Sequence, residues 1–291
     1  MELRRAALLL MAAPALALEL HQGLRPVRSG ARSVAAVASA ASLFSVAHSV
    51  SDLASVSTFY EKTLGLTVLE DGTHSDGRTR RLLGGDAAAL KLELREAGAA
   101  GAPPDFVEAG AYRGLSARVP DVAVAASAAV ANGGTVVLET SVRQYGPALV
   151  PDQPDETRTN VTRCIVADPA GYPLWLYQDP TCTGQGELCA ARLDVTAWKA
   201  SEAWWGGLGF STLRWQSNLK EEASITVTVG DADGVAVGPC GPEGGAGAVV
   251  QLRYVYMAPN VTQATGLEAF VLHGASFAGG EPDCYPLSFE G

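Results

Sequence analysis

Residues 50–69, VSDLASVSTFYEKTLGLTVL, decide the reading of the fold. Asp52 is a helix N-cap by type, because its carboxylate can accept an orphan amide of the first turn. Val56, Phe59, Tyr60 and Thr63 then recur at helical spacing, so one face of the helix is buried. Gly65 ends it, as a residue that tolerates positive φ. Upstream, Leu43 to His48 reads as a short apolar strand, and downstream from Leu66 the chain is β-rich. The unit is strand–helix–strand. A second marker lies further on: Asp168-Pro169-Ala170-Gly171-Tyr172-Pro173-Leu174-Trp175-Leu176 is a turn feeding an alternating strand.

Working outward, strands are expected near Leu66–Glu70, Thr79–Leu83 and Leu90–Leu94, the last alternating cleanly. Ala97 to Pro104 is a Gly/Ala/Pro linker. A second module follows, with a strand over Gly114–Val119 and an Ala/Val-rich helix from Asp121 to the stop at Asn132-Gly133-Gly134. Its remaining strands are Thr135–Thr140, Thr162–Val166 and Tyr172–Tyr177. After a linker over 179–187 the pattern restarts with a strand at Leu188–Val195 and a helix at Ala197–Trp205. Leu208-Gly209-Phe210 repeats Leu64-Gly65-Leu66. Strands Ile225–Val229 and Val249–Tyr256 place Gln251 where Glu93 stood. Glu281 to Leu287, EPDCYPL, echoes Asp168 to Leu174 at a shorter interval, so the fourth module lacks a helix. The chain is an internal duplication.

The two markers, in this order, resemble the glyoxalase/bleomycin-resistance/extradiol-dioxygenase superfamily, also called the vicinal oxygen chelate (VOC) fold. The tandem is similar to plant-type two-domain lactoylglutathione lyase (glyoxalase I). The resemblance implies an α+β fold in which tandem βαβββ modules pair into cup-shaped mixed sheets. Residues 43–178 would be a first glyoxalase-like domain and 188–291 a second, truncated one, within one monomer of internal pseudo-symmetry. The implied reaction is isomerisation of the methylglyoxal–glutathione hemithioacetal. In it, a divalent metal holds two substrate oxygens and a ligand carboxylate moves the proton.

Carried over, the family's ligand positions in the first repeat fall on Ser45, Glu93, Gly114 and Trp175. Glu93 is kept; glycine has no side chain, and tryptophan neither ligates nor takes a proton. In the second repeat they fall on Cys189, Gln251, Glu268 and Ser288. The resemblance therefore implies Glu93, Gln251 and Glu268 as catalytic and metal-ligating candidates. It places a divalent ion (Ni, Zn, Mg or Mn) in the second repeat and none in the first. The thiol-recognition positions hold Ser49 and Ala97. His48 is three residues from its strand's ligand position, so alternation turns it to the opposite face, as a structural histidine. Trp198, Trp204 and Trp205 form a helix face for packing on a sheet. Two readings stay open: a metal-dependent lyase acting on a glutathione adduct, and a metal-free binding or scaffold module holding an apolar or aromatic small molecule.

Composition narrows the partners. A net charge of −10 offers no field for nucleic acid or an anionic membrane surface. Residues 1–42 differ from the rest: Arg4-Arg5 and an apolar run to Leu18 read as a signal peptide, with Ala15-Leu16-Ala17 as cleavage site. From His21 to Ser42 the chain is rich in Arg, Ala and Ser without one acidic residue, which reads as a transit peptide. In series they make a bipartite presequence leading to a plastid; a single mitochondrial leader or plain secretion is the alternative. The five cysteines have no metal-ligand spacing. In an oxidising compartment Cys182 and Cys189 are placed to close a local disulfide.

Overall fold

The computed structural model describes residues 42–85, 90–97, 112–145, 148–149, 159–218, 223–230, 248–256, 267–273 and 287–290; of the expected presequence, residues 1–41 lie outside them and Ser42 begins the first strand. The first module is β1 (Ser42–Val50), α1 (Leu53–Leu64), β2 (Thr67–Thr73), β3 (Thr79–Gly84) and β4 (Lys91–Glu96). The second is β5 (Tyr112–Val119), α2 (Val122–Ala131), β6 (Thr135–Tyr145), β7 (Ala148–Leu149), β8 (Thr159–Ala167) and β9 (Pro173–Gln178). The third is β10 (Glu187–Asp194), α3 (Trp198–Gly207), β11 (Ser211–Asn218), β12 (Ser224–Gly230) and β13 (Val249–Val255). Of the fourth, β14 (Leu267–His273) and β15 (Leu287–Glu290) are described.

Local chemistry sets the helix ends. The Asp52 carboxylate accepts the Ser55 amide at 2.9 Å, and Gly65 closes α1 at φ 72° with its N–H on the Glu61 carbonyl. Asp121 caps α2 by accepting from Ala123 and Val124. Each cap satisfies amides that the first turn leaves without a helical partner.

Two sheets result. One runs β15-β14-β1-β4-β3-β2, the other β6-β8-β9-β5-β10-β13-β12-β11-β7. The six central strands of the second, β9-β5-β10-β13-β12-β11, repeat the order of the first. In each, the strand that opens a module runs parallel to that module's last strand (β1 with β4, β10 with β13) and antiparallel to another module's first (β14, β5). The sequence pairs the first module with the second; hydrogen bonding instead joins first with fourth and second with third. Periodicity defines each module, but it does not say which other module covers the open edge of its first strand.

The helices and one face of each sheet share a single core that includes Val46, Phe59, Tyr60, Leu92, Leu115, Leu174, Leu193, Trp205 and Leu252. Trp205 is fully buried there, with Trp198 and Trp204 packed against it, so this aromatic face is core. Polar groups stitch the first two modules together. Asp168 accepts the amides of Ala170 and Tyr172 at 2.9 Å and the Tyr60 hydroxyl at 3.1 Å. The Tyr172 hydroxyl donates to the Ser49 carbonyl. His48 bonds the Tyr112 hydroxyl through Nε2 at 2.7 Å and stacks on Tyr172, a structural role on the core side of β1. Burial lowers its pKa to about 3 and raises that of Asp168 to about 7, because a charge is costly in this interior. Cys182 and Cys189 are buried free thiols, not a disulfide; each points at a different β5 carbonyl, of Arg118 and Ser116.

Candidate functional site

Strand alternation leaves each sheet a second face, turned away from the helices. In the six-stranded sheet, Leu92 and Leu94 enter the core, so Glu93 between them occupies the other face. Its register neighbour on β1 is Ala47, and Ser45 lies two residues away. Glu93 is 1% exposed, far from the solvated residue an alternating strand suggests. Its carboxylate accepts the Nε–H of Arg95 at 2.8 Å, and an Arg80 nitrogen stands 3.9 Å off. The buried carboxylate of this face is thus committed to a buried guanidinium, and Arg80 also pairs with Glu70, which shares the face through its register with Leu82.

The equivalent face of the nine-stranded sheet carries Trp175, Tyr177, Ser116, Arg192 and Gln251. Gln251 pairs in register with Arg192 as Glu93 pairs with Ala47. Arg192 donates through Nη1 to the Gln251 carbonyl oxygen and to the Tyr177 hydroxyl, both at 2.7 Å. Its guanidinium lies 4.2 Å from the centre of the Trp175 ring. That indole donates to the Arg113 carbonyl at 2.8 Å, and the Arg113 and Arg163 guanidiniums stand 5.7 and 5.3 Å from it. Asp194 engages Arg253 in a two-pronged ion pair at 2.7 and 2.8 Å. Gly114 adopts φ +90°, and a Cβ there would lie 1.9 Å from the Pro173 carbonyl oxygen. No ligating side chain can occupy that position without moving backbone.

The structure does not bring the three candidates together. Glu93 and the backbone of Glu268 belong to β4 and β14, which flank β1 in the six-stranded sheet, whereas Gln251 belongs to the other sheet. Register also refines the correspondences. Ala190, not Cys189, stands opposite Ser116 as Ser45 stands opposite Val271, because α3 is two residues shorter than α1 and the turn before Gly209 one residue longer, which shifts the count by one. Glu268 is the residue skipped between Ala269 and Leu267, and Arg113 is skipped likewise between Gly114 and Tyr112. Ser288 pairs with Val271 as Trp175 pairs with Ser116.

Arg192 is the group that reading by motif missed. Its signal is faint: a single basic residue in the apolar stretch LCAARLD, meaningful only once β10 is laid beside β13.

The divalent ion that the resemblance implies does not fit these residues. Among the described residues no group of three or more His, Cys, Asp or Glu converges. Around Gln251 the donors are replaced by glycine and an indole, and the amide oxygen already faces a guanidinium. A divalent cation there would be repelled by Arg192 and would lack anionic ligands.

Residues 42–176 match the model of the Glyoxalase/Bleomycin resistance protein/Dioxygenase superfamily. The chain therefore carries a glyoxalase/VOC superfamily domain. Among solved structures it is similar to glyoxalase I from Zea mays, with a TM-score of 0.61 and 18% identity over 80% of this chain and 74% of that one. A single-residue variant of the maize enzyme gives a TM-score of 0.60 at 19% identity, covering 80% and 76%. A Bacillus subtilis protein gives 0.50 at 13% identity, covering 83% and 71%. At such identities the likeness is one of fold. No curated protein matches the chain in sequence.

Proposed function

We propose that this protein is a metal-free, small-molecule-binding member of the superfamily, descended from a glyoxalase-I-like architecture without retaining lactoylglutathione lyase chemistry. One observation carries the reading: Arg192 sits on Gln251, at the place where a metal-dependent member needs a ligand free to face a cation. Gly114 and Trp175 support it, since neither residue type supplies a metal donor or a base. The protein acts as a monomer. The composition of residues 1–42 supports delivery to a plastid, followed by removal of the presequence.

The test is turnover of the methylglyoxal–glutathione hemithioacetal by purified protein with added nickel or zinc, and again after chelation. No turnover above the uncatalysed rate is expected in either state. Metal-restored turnover would defeat the proposal.

A second reading is favoured by the strand order: Glu93 and Glu268 lie on strands of the same six-stranded sheet, which supports a lyase that draws on both residues. Glu93→Gln discriminates. The first reading expects no change in any residual turnover, the second its loss with the fold intact.

A further inference from the structure

We propose that the helix-free face of the nine-stranded sheet binds a small carboxylate borne on an aromatic body, with Arg192 as the anion-binding group. The proposal rests on the metal-free reading above and names the ligand class for that same face.

Arg192 is 8% exposed, and both hydrogens of its Nη1 are committed, to Tyr177 and to Gln251. Both partners are neutral groups. Its Nε–H and Nη2 hydrogens meet no hydrogen-bond partner among the described residues. Those hydrogens form the side-on edge of a guanidinium, the edge that grips both oxygens of a carboxylate. A cation held this deep by neutral groups is costly until an anion joins it.

The surroundings specify the rest of the ligand. The Trp175 ring covers the guanidinium at 4.2 Å and the Tyr177 ring stands at 6.0 Å, so a flat aromatic body meets flat walls. Ser116 adds an independent sign of a ligand. It is fully buried, and its hydroxyl has no hydrogen-bond partner among the described residues. Register with Trp175 and Ala190 turns it to this same face. Arg113 and Arg163 also stand within 6 Å of the indole, Arg113 with Asp194 at 3.9 Å, so the field an anion would meet here comes first from Arg192, whose hydrogen-bond partners are neutral. Phosphate would feel that field too, but it has no use for the aromatic walls.

The full chain, titrated with benzoate, benzamide, acetate and inorganic phosphate and followed by calorimetry and tryptophan fluorescence, tests this. Benzoate should bind saturably, and about tenfold or more tighter than each of the other probes. Arg192→Met should remove that preference. Arg192→Lys should lose most of the affinity although it keeps the charge, because the fork is gone. Ser116→Ala should weaken benzoate severalfold. Should Arg192→Met fail to fold, the Lys and Ala variants, checked by thermal melting, decide. Benzamide or phosphate binding as tightly as benzoate would overturn the proposal, as would benzoate affinity unchanged in Arg192→Lys. Metal content of the same samples separates the two readings. Stoichiometric metal sensitive to Gln251→Ala defeats the metal-free reading, whereas metal-free protein that ignores benzoate defeats only the ligand assignment.

Discussion

The two sheets have the same strand order but solve the same electrostatic problem differently. In the six-stranded sheet the ligand-type position holds a carboxylate, Glu93, and Ser49 beside Arg95 offers no acid. Arg95 therefore turns along its own strand to Glu93. In the nine-stranded sheet the place of Ser49 is taken by Asp194, which binds Arg253, the counterpart of Arg95. The ligand-type residue there is the neutral Gln251, and its cation is Arg192, across from it on β10. Each face thus satisfies its key oxygen with a guanidinium of the chain itself. Under the metal-free reading proposed above, the fold keeps its strands while a cationic side chain takes up the charge that an ion would otherwise carry.

Substitutions can break this comparison, and they differ in expected size. Gly114→Ala should be the most damaging, about 4 kcal/mol or more in denaturant unfolding, because the new Cβ meets the Pro173 carbonyl and the backbone sits at positive φ. Arg95→Met should cost about 3 kcal/mol, since it strands a buried carboxylate, with Arg80 at 3.9 Å as partial relief. Arg192→Met should cost less, about 1 to 2 kcal/mol, because the partners it abandons are neutral. If the Arg192 variant proved the more damaging of the two, the assignment of charge and neutrality to the two faces would be wrong.

The core between the sheets supplies a subtler test through pH. Asp168 has a folded-state pKa raised to about 7 from 3.8, so the folded state favours its protonated form. Its contribution is fully present below pH 3.8 and is lost as pH rises through about 7. His48 runs the other way. Its pKa falls from 6.5 to about 3, so its contribution is present above pH 6.5 and lost as pH falls toward 3. Asp168→Asn should flatten the decline in melting temperature between pH 4 and 7; an unchanged slope would place the titrating group elsewhere.

Much of the fold was legible because it rests on local chemistry. The Asp52 cap, the Gly65 stop and the Asp168 turn each depend on residues within a few positions, and each takes the form its sequence dictates. The duplication was legible for the same reason. Module pairing was not, because the edge of β1 can be covered by β5 or by β14 without any change in periodicity. The site was legible in its losses, at Gly114 and Trp175, but not in its gain. Arg192 acquires meaning only through register with Gln251, and the length of a helix, which periodicity leaves open, shifts residue counting by one. Counting back from Gly209 leads to Cys189 where register leads to Ala190, because α3 is shorter than α1.

The central claim is that guanidiniums stand where a metal would be needed. Calorimetric titration of chelator-treated full chain with nickel and with zinc tests it most directly. The account predicts no saturable site in the wild type, and none in Glu93→Gln or Gln251→Ala. One tight site per chain, lost in either variant with the fold intact, would contradict it.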